Sequence, residues 1–120
     1  MQVIPMPRDT NAAGDVYAGW LVHQMDVAAA TTAGRVSQGR VATVAIDRME
    51  FLCPIRLGAQ VRLHTRLTEI GRSSMKIQVE VWMLAQLDTE PRKVTEAQFI
   101  FVAIDDAGRI REVPEQAPRH

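Results

Sequence analysis

One carboxylate stands out by its company. Asp26 lies in a small, apolar run with the composition of a helix, Val16-Tyr17-Ala18-Gly19-Trp20-Leu21-Val22-His23-Gln24-Met25-Asp26-Val27-Ala28-Ala29-Ala30. At helical spacing Gly19, Val22, Ala30 and Ala33 share its face. Such a face suits close packing, and a carboxylate on it loses hydration unless it has a partner or a task. The tasks open to an aspartate are general-base and nucleophilic chemistry. The plainer readings are a solvent-facing residue or the partner of a nearby arginine. Immediately upstream, Asp9-Thr10-Asn11-Ala12-Ala13-Gly14-Asp15 is polar and turn-forming. Asn11 there suits an Asx-turn, and Asp15 is an N-cap or a second carboxylate. A site built from these residues enters at the start of a helix and runs about three turns along it.

The elements that must hold this site follow from periodicity. Helix is expected from Val16 to about Ala33, capped by Asp15 and stopped by Gly34. Residues 3–6 suggest a short strand cut by Pro5 and Pro7. After Gly39 the period changes to two. Residues 41–46 lead into 47–53 and end at Pro54. Val61, Leu63, Thr65 and Leu67 alternate with Arg62, His64 and Arg66, the mark of a half-buried strand with a wet face. Met75, Ile77, Val79, Val81 and Met83 alternate in the same way, and residues 94–104 become apolar on both faces, as in a central strand. Asp105-Asp106-Ala107-Gly108 reads as a turn. Connections at 56–60, 70–74 and 85–93 are short enough for hairpins or near neighbours. One long helix and four long strands give an α+β fold with an antiparallel sheet covering the helix, in a single domain over residues 1–114 and a polar C-terminal tail at 115–120.

Bulk composition narrows the function. The chain has 120 residues, 47% hydrophobic and 23% charged, a globular balance. Fourteen basic residues offset fourteen acidic ones, so no global field draws nucleic acid or anionic membrane. Neither a membrane-spanning run nor a signal peptide is evident. The single cysteine, Cys53, reads as a buried small apolar group, and a reducing, cytoplasmic setting is expected. His23, His64 and His120 are scattered, with no metal-ligand spacing, so no metal site is expected. A single helix covers only part of such a sheet, which favours homodimerisation.

Several segments in order, rather than any one of them, resemble the hot-dog-fold acyl-CoA thioesterases, and among these the bacterial YciA-like acyl-CoA hydrolases. They are residues 7–20 with Gln24-Met25-Asp26, then Gly39-Arg40-Val41-Ala42-Thr43-Val44-Ala45 and Met49-Glu50-Phe51-Leu52-Cys53-Pro54-Ile55. Residues 71–82, from Gly71-Arg72-Ser73-Ser74-Met75-Lys76 to Trp82, and Phe99-Ile100-Phe101-Val102-Ala103-Ile104-Asp105 follow. The resemblance implies a hot-dog fold, a long central helix wrapped by an antiparallel sheet. It also implies a homodimeric double hot dog with shared active sites, assembled further into tetramers or hexamers. The implied reaction is hydrolysis of acyl-CoA to free acid and CoA, with no metal and no cofactor beyond the CoA of the substrate.

Carried over by residue, the family's helix carboxylate falls on Asp26, as general base or nucleophile. Its loop amide falls on Asn11, presented from the partner subunit to orient water or carbonyl. Backbone N–H groups around Ala18 and Gly19 are then the oxyanion donors, with Asp15 a lesser catalytic candidate. Family members often carry Gly-Gly where this chain has Ala18-Gly19. The Gly71-Arg72-Ser73-Ser74 turn, with Lys76 and Arg40, suits CoA phosphates, although as a motif it is equally an ordinary hairpin turn. Thr43, Val44 and Ala45 are candidates for the acyl channel. Two other functions compete: a non-catalytic acyl-CoA-binding hot-dog module, and an enoyl-CoA hydratase or dehydratase using His23 near Asp26.

Overall fold

A helix with one apolar stripe needs a surface to cover it, and the strands that follow supply one. The computed structural model describes residues 1–115, so all of the expected tail beyond Glu115 lies outside the described residues. In chain order the elements are β1 (Gln2–Val3), a 3-10 turn at Pro7–Asp9, α1 (Ala18–Ser37), β2 (Val41–Phe51), β3 (Gln60–Ile70), β4 (Ser74–Leu84) and β5 (Arg92–Ala103). The strands form one antiparallel sheet in the order β1-β3-β4-β5-β2. The α+β reading and the central place of the last long strand both hold.

The core is the seam between α1 and one face of that sheet. Leu21, Met25, Ala28, Ala29, Ala33 and Val36 are buried on the helix, and Met75, Ile77, Val79, Val81, Phe99 and Phe101 oppose them from β4 and β5. The Phe99 and Phe101 rings stack with centroids 6.4 Å apart. Alanines at 28, 29 and 33 let the helix axis approach the sheet closely, while each larger buried side chain stabilises by about 1.5–3 kcal/mol. On the opposite, wet face, Lys93 donates to Glu96 at 3.0 Å and Glu80 at 3.5 Å. The hydrogen bond from Lys93 holds the Glu96 carboxyl below its ordinary range, and the same bond raises Lys93.

Several boundaries differ from expectation for identifiable reasons. The N-cap is Tyr17, not Asp15. Asp15 instead bridges to Arg56, so the chain before the helix is held extended. The helix also passes through Gly34 to Ser37 and closes at Gln38 in the left-handed region. Arg111 satisfies that end: its guanidinium donates to the carbonyls of Ser37 at 2.9 Å and Ile104 at 2.8 Å. The first strand is only Gln2–Val3. The 71–73 and 85–91 connections are hairpins, but 52–59 is not, because β2 and β3 lie on opposite sides of the sheet. That segment crosses over and is tied to the pre-helix loop by Val16 N to Ile55 O at 2.8 Å and Leu57 N to Gly14 O at 3.2 Å.

β2 is an edge strand with two irregularities in its register against β5, at Thr43/Ala45 and Asp47/Glu50. Within the second, Arg48 adopts φ 58°, a conformation that costs an L side chain roughly 1–2 kcal/mol. Arg48→Gly should leave stability unchanged or raise it, since relief of strain offsets the entropy of glycine. Arg48→Val should lower it by about 1–2 kcal/mol, because a β-branched residue fits that region worst. Urea denaturation of both variants checks this; equal midpoints would mean the bulge carries no strain.

Candidate active site

Asp26 points from α1 toward the edge strand. The Thr43 hydroxyl on β2 donates to Asp26 Oδ1 at 2.7 Å, and among the described residues no donor reaches the other carboxylate oxygen. Asp26 is half-buried, so its second oxygen is available for a water or a substrate. Thr43, expected in the acyl channel, is thus brought to the carboxylate, where its hydroxyl holds one oxygen and orients the group. His23 is exposed on the same helix and makes no hydrogen bond to Asp26 among the described residues.

The loop before the helix is built around Asn11. Its Oδ1 accepts from Ala13 N at 2.9 Å and Asp15 N at 3.1 Å, the Asx-type arrangement. Gly14 closes the turn with φ +83°, and its N–H donates to Asn11 O at 3.0 Å. Asp15 Oδ1 accepts from Arg56 at 3.0 Å. With its oxygen committed inside the loop, Asn11 can offer a ligand only its Nδ2 hydrogens. It is a donor for a carbonyl or water oxygen, not an acceptor.

The start of α1 is open. Trp20 N donates to Tyr17 O at 3.1 Å, whereas the N–H groups of Ala18 and Gly19 have no acceptor among the described residues. A Cβ added at Gly19 would meet nothing within 4 Å among the described residues, which leaves room there for a ligand. Beside this turn lies a cavity of about 390 Å³, lined by Val16, Tyr17, Ala18, Leu21, Val94 and the segment 51–55. The cavity was not anticipated. Phe51 and Leu52, two large apolar residues placed just before Pro54 at a strand end, were the signal for it.

The residues matched to CoA gather at the far end of the sheet. Ser73 O accepts from Ala103 N at 2.9 Å and Arg40 O from Ile104 N at 3.0 Å, so the Gly71-Arg72-Ser73-Ser74 turn and Arg40 flank neighbouring positions of one chain segment. Each cation there already has a partner. Arg72 pairs with Glu112 at 2.6 Å and Lys76 with Glu69 at 2.9 Å. Arg40 donates to the carbonyls of Asp105 and Asp106. Gly71 N donates to Ser74 O at 2.8 Å, closing a hairpin turn. Of the strand residues expected to line an acyl channel, Val44 is exposed and Ala45 half-buried, and neither borders the cavity.

Residues 13–87 match the model of the thioesterase superfamily. An uncharacterized acyl-CoA thioester hydrolase of Haemophilus influenzae is 42% identical over 120 residues, covering 97% of this chain and 77% of that protein. The acyl-CoA thioester hydrolase YciA of Salmonella typhimurium is 41% identical over 120 residues, covering 97% and 90% respectively. Among solved structures, the hexameric thioesterase y2039 from Yersinia pestis superposes with a TM-score of 0.91 at 42% identity, over 97% of this chain and 94% of that one. A hexameric hotdog fold thioesterase of Campylobacter jejuni superposes with a TM-score of 0.88 at 29% identity, over 95% and 88%. The helix-on-sheet architecture is therefore the hot-dog fold, and the chain belongs to the thioesterase superfamily.

Proposed function

We propose that this protein hydrolyses acyl-CoA thioesters to the free acid and CoA. The observation that carries the reading is the half-buried carboxylate of Asp26, oriented through one oxygen by Thr43, with no donor on its second oxygen among the described residues. Relatives at about two-fifths identity named acyl-CoA thioester hydrolases support the substrate class. In this reading Asp26 takes a proton from water as it attacks the thioester carbon. The oxyanion is held by the N–H groups of Ala18 and Gly19 at the positive end of the helix. The C–S bond then breaks, and the departing sulfur takes up the proton that Asp26 holds. Direct attack by Asp26 is the alternative first step, and it uses the same free oxygen.

Asp26 and Gly19 are seven residues apart on one helix, about 10 Å along its axis at ~1.5 Å per residue. That gap is too wide for one helix to serve a single carbonyl from both positions. Two copies resolve it: Asp26 of one protomer works with Asn11 and the helix start of the partner subunit. The exposed edge of β2, where Val44 and Ile46 are 55% and 40% exposed, supports such a pairing. Because solved relatives are described as hexamers rather than dimers, we assign the dimer the role of building block in a hexamer.

The turn at Gly71-Arg72-Ser73-Ser74, with Lys76 and Arg40, is assigned to CoA phosphates. Its exposed ion pairs are worth little in water, so exchanging a carboxylate for a phosphate there costs little. Asp15 is assigned to anchoring the Asn11 loop through Arg56. No metal or separate cofactor enters the scheme. The cytoplasm is the proposed location; among the described residues no helix is long and apolar enough to cross a membrane.

Asp26→Asn keeps shape but removes the base, and should lower thiol release from acyl-CoA by about 10²–10⁴-fold, the contribution general acid–base catalysis supplies. Thr43→Val should lower kcat by about tenfold with a smaller change in KM, the value of one neutral-to-charged hydrogen bond. Folded Asp26→Asn with wild-type turnover would remove Asp26 from the mechanism. In Asn11→Ala the amides of Ala13 and Asp15 lose their acceptor. Their hydrogen exchange should quicken while that of β4 amides is unchanged, and kcat should fall with it. Unchanged exchange at those two amides would contradict the loop's construction.

A further inference from the structure

The cavity at the start of α1 has no role in the scheme above. Its floor is Leu21 and Val94, exposed by only 2% and 0%, whereas its rim residues Tyr17, Phe51 and Leu52 are 56%, 47% and 60% exposed. A dry floor beneath a large apolar rim is surface that water solvates poorly. Among the described residues no charged side chain lines it, so a carboxylate or phosphate placed inside would find no partner in that lining. It opens beside the N–H groups of Ala18 and Gly19, which have no acceptor among the described residues and where the thioester carbonyl is placed in that scheme.

We propose that this cavity receives the distal carbons of a straight, medium-length fatty acyl chain, and that Leu21 and Val94 set the upper length. The inference rests on the acyl-CoA hydrolase reading and deepens it by naming the acyl class. A volume of about 390 Å³ holds on the order of a dozen methylene-sized groups if each takes the ~30 Å³ of a water in the liquid. Incomplete filling brings that to chains of about six to ten carbons. Each methylene buried on the way to the floor strengthens binding by about threefold to fourfold. Beyond the floor the gain must stop, because Leu21 and Val94 are held in the core between α1 and β5.

The cavity carries its own reporter. Cys53 lines it, is half-buried, and is the only cysteine of the chain. Its thiol donates to Lys93 O at 3.5 Å. The test measures the rate at which N-ethylmaleimide labels Cys53 in the wild-type oligomer, alone and with non-hydrolysable thioether analogues of acyl-CoA. The ethyl analogue should protect little, the octyl analogue at least tenfold more, and the hexadecyl analogue no better than the octyl. In parallel, Cys53→Phe should lower the kcat/KM ratio of octanoyl-CoA to acetyl-CoA by tenfold or more. Phe51→Ala, at the exposed rim, should lower the same ratio about threefold, and it keeps the test informative should Cys53→Phe fail to fold.

Length-independent protection, a thiol that is unreactive because a second copy seals the cavity, or unchanged ratios in both variants would overturn the proposal. Length-dependent protection in a protein that releases no thiol from any acyl-CoA would support the cavity's occupant and overturn the hydrolase reading instead. Thiol release together with length-independent protection would overturn the cavity's role and leave the hydrolase reading standing.

Discussion

The depth at which α1 sits on the sheet governs the rest of this molecule. Ala28, Ala29 and Ala33 present almost no side chain to β4 and β5, so the helix backbone lies close to the buried row of Met75, Ile77, Val79 and Val81. That depth brings Asp26, at the border of the buried stripe, within 2.7 Å of a hydroxyl on the edge strand. A leucine in place of any of these alanines would lift the helix and withdraw the carboxylate from Thr43. Close packing and chemistry are thus one constraint, since protein interiors tolerate little change of volume.

Two further devices hold the helix at its ends. At the C-terminal end Arg111 gathers carbonyls of Ser37, Ile104 and Arg40, joining the helix, the residue that leads into β2 and the segment after β5 through one guanidinium. The N-terminal end is held by the loop around Asn11, itself tied to the crossover segment through backbone pairs to Ile55 and from Leu57. Between these anchors the N–H groups of Ala18 and Gly19 have no acceptor among the described residues, which is what the proposed oxyanion site needs.

Much of this is legible in the sequence, and the rest escapes it for physical reasons. Strand alternation placed β3 and β4 correctly because each buries one face only, so a period of two is visible in Val61-Arg62-Leu63 and in Met75-Lys76-Ile77. The helix start was misplaced by two residues because Asp15 has the chemistry of a cap, yet its carboxylate is claimed by Arg56, forty-one positions away. A long-range ion pair has no local signature. Gly34 read as a stop, but the burial of Val36 and Ser37 and the clasp of Arg111 outweigh its modest cost in a helix. Thr43 was placed near substrate by resemblance alone; its contact with Asp26 depends on helix depth, which a linear pattern does not encode. The cavity was missed because its walls come from three separated segments.

The central claim is that the reacting carbonyl is served by two protomers, Asp26 from one and the helix start with Asn11 from the other. Subunit mixing tests it most directly. Asp26→Asn and Asn11→Ala proteins, each impaired alone, are dissociated together, reassembled, and assayed for thiol release from acyl-CoA. Random pairing regenerates intact sites in about a quarter of the total for a two-fold shared site, so the mixture should rise toward that fraction of wild-type turnover. A mixture that exchanges subunits, as mass-tagged protomers would reveal, yet stays at the average of its two impaired components would place both residues in one protomer's site and contradict the account.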